Sequence, residues 1–96
     1  MAYYFIANYA VADPDGYGAY QQAAGPTFAG RDIKILAFDP TSSAVEGDAK
    51  HVTVLLEFAD EAAFRDWYDS GAYQEAKGLR LAATSGGIGV GAKGLG

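Results

Sequence analysis

The clearest alternation of apolar and polar positions in this chain runs from His51 to Phe58. Successive side chains of a strand point to opposite faces, so this segment has one wholly apolar face and one mixed face. The apolar face carries Val52, Val54, Leu56 and Phe58, and the mixed face carries His51, Thr53, Leu55 and Glu57. The β-branched and aromatic content favours a strand. An unbroken apolar face needs a cover, which we expect to be a helix.

The segment that follows carries the signals of that helix. Asp60 stands where an N-cap is expected, and an aromatic stripe at helical spacing comprises Phe64, Trp67 and Tyr68. Ser70 is a suitable cap for a second helical stretch, so we predict either one kinked helix or two helices end to end. The second stretch has an apolar row and an adjoining row, with Ala72, Ala76, Leu79 and Ala83 in the first and Tyr73, Lys77 and Arg80 in the second.

The rest of the chain supplies three more strands and one more helix. Tyr3 to Val11 is largely apolar on both faces, which predicts a central strand covered on both sides. Asp13 and Pro14 predict the start of a helix, and Pro26 is expected to kink or end it. Its predicted buried stripe comprises Tyr17, Tyr20, Ala24 and Phe28. The remaining predicted pieces are a strand over Ile33 to Phe38, a short continuation or edge piece at Ala44 to Glu46, and a last strand with Ile88, Val90 and Ala92 between glycines.

The predicted order, β-α-β-β-α-β, is the α+β arrangement of the ferredoxin-like fold. It predicts a four-stranded antiparallel sheet with both helices on one face. The other face would be bare in a single chain, and it would carry Tyr4, Ile6, Asn8, His51, Thr53, Leu55 and Glu57. A bare, half-apolar sheet usually marks an interface. We therefore predict a homodimer in which two such sheets pack face to face.

Composition narrows the possible functions. With 96 residues we expect one domain over 1–96, in which the last few residues are candidates for disorder. The absence of cysteine excludes disulfides, thiolate catalysis and cysteine metal sites. A net charge of −5 disfavours nucleic acid as a partner. Neither a signal-peptide pattern nor a run of about 20 apolar residues occurs, so we expect a cytoplasmic protein with no membrane partner.

Two polar residues of the central strands are candidates for chemistry. His51 is the only histidine, so an imidazole base would have to be His51, although a partly exposed strand-end side chain is the simpler interpretation. Glu57 would be costly to bury unpaired. It is expected to meet water at an edge or to pair with a cation, either Arg80 or one from a partner subunit. No metal site and no cofactor are predicted.

An aromatic cluster near Arg80 is the candidate ligand site. Such spacing is common in a core, but tyrosine and tryptophan also need partners for their polar atoms. Arg80 could orient an anionic or carbonyl group. A pocket here would lie between helix and sheet as a closed cavity of at least roughly 300 Å³. The predicted ligand-binding residues are Trp67, Tyr68, Tyr73 and Arg80, together with Glu57, His51 and Asn8.

The glycine-rich end of the chain matches the residue spacing of a nucleotide-binding motif but not the structural context that the motif requires. Gly89 to Gly94 fits G-x-G-x-x-G, but that fingerprint requires a helix after it. We interpret these glycines as positions where a neighbouring strand or subunit comes close.

Several segments together resemble the domain-of-unknown-function 1330 family: Asp13-Pro14 with Tyr17 and Tyr20, Val45 to Asp48, Leu56 to Phe58, and Trp67 to Ser70 with Tyr73 and Arg80. That family is similar to the dimeric α/β-barrel superfamily, in which two ferredoxin-like subunits join their sheets. The resemblance implies this fold and a dimer. The superfamily includes cofactor-free monooxygenases, lactone isomerases and haem enzymes, so fold alone selects no reaction.

Two functional hypotheses follow. The first is a small dimeric protein that binds a small, partly apolar ligand, with cofactor-independent catalysis of the monooxygenase or isomerase type as an extension. The second is a non-catalytic module whose sheet surface serves assembly alone, and its warrant is the lack of a nucleophile–base pair or a metal cluster in the sequence.

Overall fold

The computed structural model describes all 96 residues and confirms the ferredoxin-like fold. Its antiparallel sheet has the order β2-β3-β1-β4. The strands are β1 (Tyr3–Val11), β2 (Ile33–Asp39), β3 (Val52–Phe58) and β4 (Thr84–Lys93). Three helices lie on one face, α1 (Pro14–Ala24), α2 (Glu61–Tyr68) and α3 (Gly71–Ala83), and a 3₁₀ turn (Gly25–Phe28) follows α1 at Pro26. None of the helices has the length and apolar character that crossing a lipid bilayer requires.

Caps explain why the second helical region is two helices rather than one with a kink. Asp60 begins α2, and its Oδ1 accepts a hydrogen bond from the Ala63 N–H at 2.8 Å. Ser70 begins α3, and its Oγ accepts from the Tyr73 N–H at 3.2 Å. Ser70 has an extended backbone, which breaks the helical path between the two.

The core lies between the helices and one face of the sheet. On that face β1 contributes Tyr3, Phe5, Ala7 and Tyr9, and β3 contributes Val52, Leu56 and Phe58, all of them buried. Trp67 from α2 is 1% exposed and packs against the rings of Phe58 and Tyr73. β1 is central, as predicted, but only one of its faces is covered within the chain.

The buried row of α3 differs from the prediction. Tyr73, Ala76, Arg80 and Ala83 are buried, whereas Ala72 and Leu79 are exposed. The reason is the neighbouring helix: α3 approaches α1 so closely that a Cβ built on Gly16 would lie 3.2 Å from the Ala83 Cβ. The backbone N–H groups of Ala12 and Asp13 also donate to the Ala83 carbonyl. This orientation turns Tyr73 and Arg80 toward the sheet.

The opposite sheet face is apolar along its middle row and carries polar residues of β1 and β3 on either side of that row. The strand register places Ile6 between Leu55 of β3 and Val90 of β4, and Asn8 between Thr53 and Ile88. Glu57 lies beside Tyr4 on the same face. The segment Ala44 to Glu46, predicted as a possible edge piece, has no regular structure, and Val45 is 90% exposed because it packs against nothing.

Glycines of β4 allow β1 aromatic rings to lie over that strand, which agrees with the predicted close approach. A Cβ on Gly89 would lie 3.1 Å from the Phe5 ring, and one on Gly91 would collide with the Tyr3 hydroxyl. Between Asn8 and Ala10 the β1–β4 register shifts by one residue, at a bulge in β4 where Gly86 has φ of +62°. A side chain at Gly86 would also meet Lys50.

Candidate functional site

A largely apolar cleft of about 220 Å³ lies between α1 and the β2–β3 side of the sheet. Phe5, Ala7 and Tyr9 of β1 form part of its floor. No helix covers β2, so Ile35 and Phe38 are 58% and 46% exposed although they point to the helix side. The cleft opens to solvent between these two side chains and the end of α1.

Four tyrosine hydroxyls meet at the inner end of this cleft, and we call Tyr9, Tyr17, Tyr20 and Tyr73 the tyrosine quartet. They form two hydrogen-bonded pairs: Tyr9 with Tyr17 at 2.7 Å, and Tyr20 with Tyr73 at 3.0 Å between hydroxyl oxygens. The pairs come from three elements, β1, α1 and α3. Their rings also contact one another, Tyr9 against Tyr17 and Tyr17 against Tyr20.

Arg80 lies within this quartet and has no acidic partner. The residue is 7% exposed, and no carboxylate lies within ion-pair distance of its guanidinium. Its guanidinium carbon lies 5.4 Å from the centre of the Tyr9 ring and 5.9 Å from that of Tyr20. Burial disfavours its charge, but Tyr73, Tyr20 and Tyr9 offset this and the pKa of Arg80 lies above its usual value. The cleft therefore holds a permanent positive charge.

The hydroxyls of Tyr9, Tyr17 and Tyr20 remain protonated at neutral pH. Burial, and then the hydrogen bond with Tyr17, raise the pKa of Tyr9 far above its ordinary value. Burial, and then the proximity of Tyr73, have the same effect on the pKa of Tyr20. Burial also raises the pKa of Tyr17. Hydroxyls in this state donate hydrogen bonds to an acceptor rather than remove a proton from it.

The cleft contains three of the four residues predicted to surround a pocket. Trp67, Tyr73 and Arg80 line it. Tyr68 does not, because it follows Trp67 on α2 and faces β4, where its ring lies 4.9 Å from the Lys77 Nζ. The Trp67 indole N–H donates to Thr27 Oγ1 at 2.9 Å, which fixes the ring. The cleft is also smaller than the predicted 300 Å³ and open rather than closed, because β2 lacks a helical cover.

Asn8 and His51 lie away from the cleft and hold backbone segments together. Asn8 Nδ2 donates to the Lys50 carbonyl at 2.9 Å, and its Oδ1 accepts from the Lys50 N–H at 2.7 Å. His51 Nε2 accepts from the Val11 N–H at 3.0 Å, so Nδ1 carries the proton and donates to the Pro40 carbonyl at 2.9 Å. These contacts agree with the simpler interpretation of His51, and a ligand role for either residue stays a prediction.

Glu57 does not pair with Arg80, because the two residues lie on opposite faces of the sheet. Its Oε1 lies 3.6 Å from the Lys34 Nζ on the neighbouring strand. Across β1 it contacts Tyr4, and its hydrogen bond, followed by its charge, raises the pKa of that phenol. Glu57 lies on the uncovered sheet face. Its predicted role, to bind a ligand or to pair with a cation of a partner subunit, stays a prediction.

The sequence predicts Tyr17 and Tyr20 as buried positions of α1 and Tyr9 only as part of the central strand, and none of the three as a site residue. One signal could have found them. A core built for packing alone favours phenylalanine, since every buried hydroxyl needs a partner. Seven tyrosines against five phenylalanines, several of them at predicted buried positions, point to a polar interior region.

Solved structures of similar fold come from several bacteria. One is a protein of unknown function from Rhodopseudomonas palustris, with 23% identity, a TM-score of 0.74 and coverage of 99% of this chain and 83% of that one. A dimeric ferredoxin-like protein of unknown function from Thermobifida fusca has 17% identity, a TM-score of 0.68 and coverage of 96% and 90%. SnoaB, a cofactor-independent oxygenase from Streptomyces nogalater, has 10% identity, a TM-score of 0.70 and coverage of 99% and 94%.

At such low identities these likenesses show the fold alone. No curated protein matches the chain. The family model for the "Domain of unknown function (DUF1330)", by contrast, matches residues 2–90, which include every strand but the end of β4 and every residue of the cleft. The chain therefore belongs to the DUF1330 family, as its sequence motifs predicted.

Proposed function

We propose that the cleft binds a small, mostly apolar molecule that carries a carboxylate or another anionic or carbonyl oxygen. The observation that carries this proposal is Arg80, a buried guanidinium without a carboxylate partner in the chain. An isolated buried charge is costly unless something compensates it. An anionic ligand would supply that compensation, and the quartet hydroxyls would donate to its oxygens.

The size and lining of the cleft define the ligand further. A volume of about 220 Å³ lies below the roughly 300–1,000 Å³ typical of sites for drug-sized molecules. Thirteen of its 16 lining residues are hydrophobic. Both facts favour a one-ring or short-chain acid whose apolar part lies on Phe28, Val54 and Leu56. The acid group would point inward to Arg80.

We also propose that the functional unit is a homodimer formed through the uncovered sheet faces. The apolar row of Leu55, Ile6 and Val90 crosses three strands of that face, and Ile88 beside it is 62% exposed. Burying such a row against a second copy removes apolar area from water. The Thermobifida fusca protein of the same fold is described as dimeric.

Catalysis on the bound molecule without a cofactor is a second candidate function, of the monooxygenase or isomerase type. Arg80 and the quartet hydroxyls would stabilise negative charge that develops on a substrate oxygen. The cleft is lined by no carboxylate or imidazole, so proton removal would rely on the acidity of the substrate or on water. SnoaB, described as a cofactor-independent oxygenase, shares the fold.

A thermal-shift screen tests the binding proposal. The panel would contain small aromatic and aliphatic carboxylic acids, each paired with its primary alcohol. A ligand that binds the native state raises Tm in a saturable way. We expect acids to raise Tm and their alcohols to do so much less, because only the acids carry the negative charge that Arg80 lacks.

Two matched variants connect the shift to the cleft. Ile35→Trp would narrow the mouth of the cleft without changing the core, because Ile35 lines the cleft and is exposed. Leu36→Trp is the control, because Leu36 is also exposed but does not line the cleft. Only Ile35→Trp should reduce the ligand-induced shift. If no acid of the panel shifts Tm, or if both variants behave alike, the binding proposal fails and the non-catalytic assembly module becomes the better account.

A further inference from the structure

A second cavity lies on the other side of α3 from the cleft, along the last strand. This space, which we call the β4 groove, has a volume of about 560 Å³ and is enclosed by α2, α3 and β4. Phe5 and Arg80 line both cavities, so their side chains form the partition between them. The lining of the groove is mostly polar, whereas the lining of the cleft is mostly apolar. Of the ligand-binding residues predicted from the sequence, only Tyr68 and Arg80 line the groove.

The charged side chains that line the β4 groove are all positive. Three of the chain's seven lysines and arginines line it, and no aspartate or glutamate does. Lys77 and Arg80 form no ion pair. Arg65 has only a long, exposed contact of 3.7 Å with Asp69, which contributes little. In a chain of net charge −5, this groove gathers three positive charges, two of which have no acidic partner.

The floor of the groove is shaped for close contact. Gly87 and Gly89 expose bare β4 backbone there, and Gly86 belongs to the β4 bulge with its positive φ. At the end of α3, Thr84 Oγ1 is occupied, since it donates to the Arg80 carbonyl at 2.8 Å. The neighbouring Ser85 lines the groove and adds a hydroxyl that can donate to a ligand.

We propose that the β4 groove is a second ligand site, which binds the carboxylate or phosphate group of a small organic anion. Lys77 and Arg65 would contact the anionic group from the helix side, and Arg80 would add its charge from the partition. Charge-assisted hydrogen bonds of this kind are stronger than neutral ones. Lys77 and Arg65 do not line the cleft, so their contacts do not depend on its occupancy, and only the charge of Arg80 is shared between the two sites.

Amide NMR titrations with benzoate and with phenyl phosphate test this site in the full chain. The two probes separate a carboxylate from a phosphate preference. Binding in the groove should shift the amide signals of Gly87 and Gly89 in a saturable way, whereas binding in the cleft should shift those of Ala24 and Gly25. We expect groove shifts with at least one probe at millimolar concentrations.

Three variants make the test specific. Lys77→Gln should weaken groove binding by about tenfold or more, as expected for the loss of a hydrogen bond to a charged group. Lys34→Gln removes the same charge from the opposite sheet face, where its side chain is 65% exposed, and should change nothing in the groove. Ile35→Trp should affect the cleft signals only, so failure at one site can be distinguished from failure at the other.

Two results would overturn the second site. One is an absence of saturable shifts at Gly87 and Gly89 with either probe. The other is an equal weakening by Lys77→Gln and Lys34→Gln, which would mean that the anions respond to total charge and not to the groove.

Discussion

Replacement of Arg80 by methionine tests the binding proposal, because it should preserve or raise the stability of the free protein and abolish the stabilisation by a bound acid. Methionine retains much of the side chain's apolar length and removes its charge. In the protein without ligand, the free energy of unfolding should rise or stay level. In the presence of an acid that binds the cleft, the ligand-induced rise in Tm should disappear. A purely structural arginine would give the opposite first result.

The magnitude follows from what Arg80 contacts. Removing a guanidinium from water costs several kcal/mol after relaxation, and no carboxylate offsets that cost here. Its contacts with the rings of Tyr9 and Tyr20 return about 1–2 kcal/mol each. The two contributions are of similar size, in agreement with the raised pKa of Arg80, so Arg80→Met should raise the free energy of unfolding by at most about 1 kcal/mol. For a chain of this length, that corresponds to a rise in Tm of at most about 4–8 °C.

Urea unfolding and thermal scans, each with and without the best acid of the panel, measure both effects. Arg31→Met is the matched control, since Arg31 forms an exposed ion pair with Asp66 whose loss should cost less than about 1 kcal/mol. A loss of about 2 kcal/mol or more in Arg80→Met would show that the fold needs this charge. An undiminished acid-induced shift in the variant would show that the charge does not hold the ligand. Either result would refute the reasoning.

Three further predictions follow from the sheet, the glycines and the tyrosines. Ile6→Lys should leave the fold intact and reduce the mass measured by light scattering from twice the 10.0 kDa chain mass to one chain mass. Gly91→Ala should lower the free energy of unfolding by about 1–3 kcal/mol in urea titrations, because its methyl group would collide with the Tyr3 ring. Raising the pH above 10.0 should lower the stability of the fold. Tyrosinate absorbance can follow the ionisation of the tyrosines while circular dichroism follows unfolding. The raised pKa values of Tyr9, Tyr17 and Tyr20 mean that the folded state binds more protons than the unfolded state there.

Each of these three predictions has a control variant and a result that would contradict it. Leu79→Lys places the same charge on the exposed side of α3 and should not change the mass, and a single-chain mass in the unmodified protein would remove the dimer proposal. Gly18→Ala has open space around its new methyl group and should stabilise α1 by about 0.5–1 kcal/mol, so equal losses in both alanine variants would contradict the packing argument. Tyr20→Phe should weaken the dependence on alkaline pH, and an unchanged slope would exclude burial of that hydroxyl as its cause.

The sequence was most informative where local patterns and tertiary packing agree. Alternation in β3 and the caps at Asp60 and Ser70 predicted elements that the structure confirms, because these signals act through the backbone of a few neighbouring residues. The row of α3 that faces the core was not predictable in the same way. Leu79 is more apolar than Arg80, yet Leu79 is exposed and Arg80 is buried. The close approach of α1 at Gly16, a contact between distant segments, determines that orientation.

The candidate site shows the same division. Trp67, Tyr73 and Arg80 could be grouped from helical spacing alone, since they lie on two consecutive helices. Tyr68 was grouped with them for the same reason, but the turn from Trp67 to Tyr68 directs it into a different cavity. Tyr9 and Tyr17 come from other elements, and only the folded chain brings their hydroxyls to 2.7 Å.

By itself, the order of apolar and polar residues determined the strands, the helices, their caps and the family, because each of these depends on short-range spacing or on motifs. The tertiary structure decided which buried hydroxyls meet, that Arg80 has no acidic partner, and that an open cleft remains beside β2. Those features depend on the relative placement of β1, α1 and α3. That placement is set by how their side chains pack across the sheet, and no local pattern in the sequence encodes it.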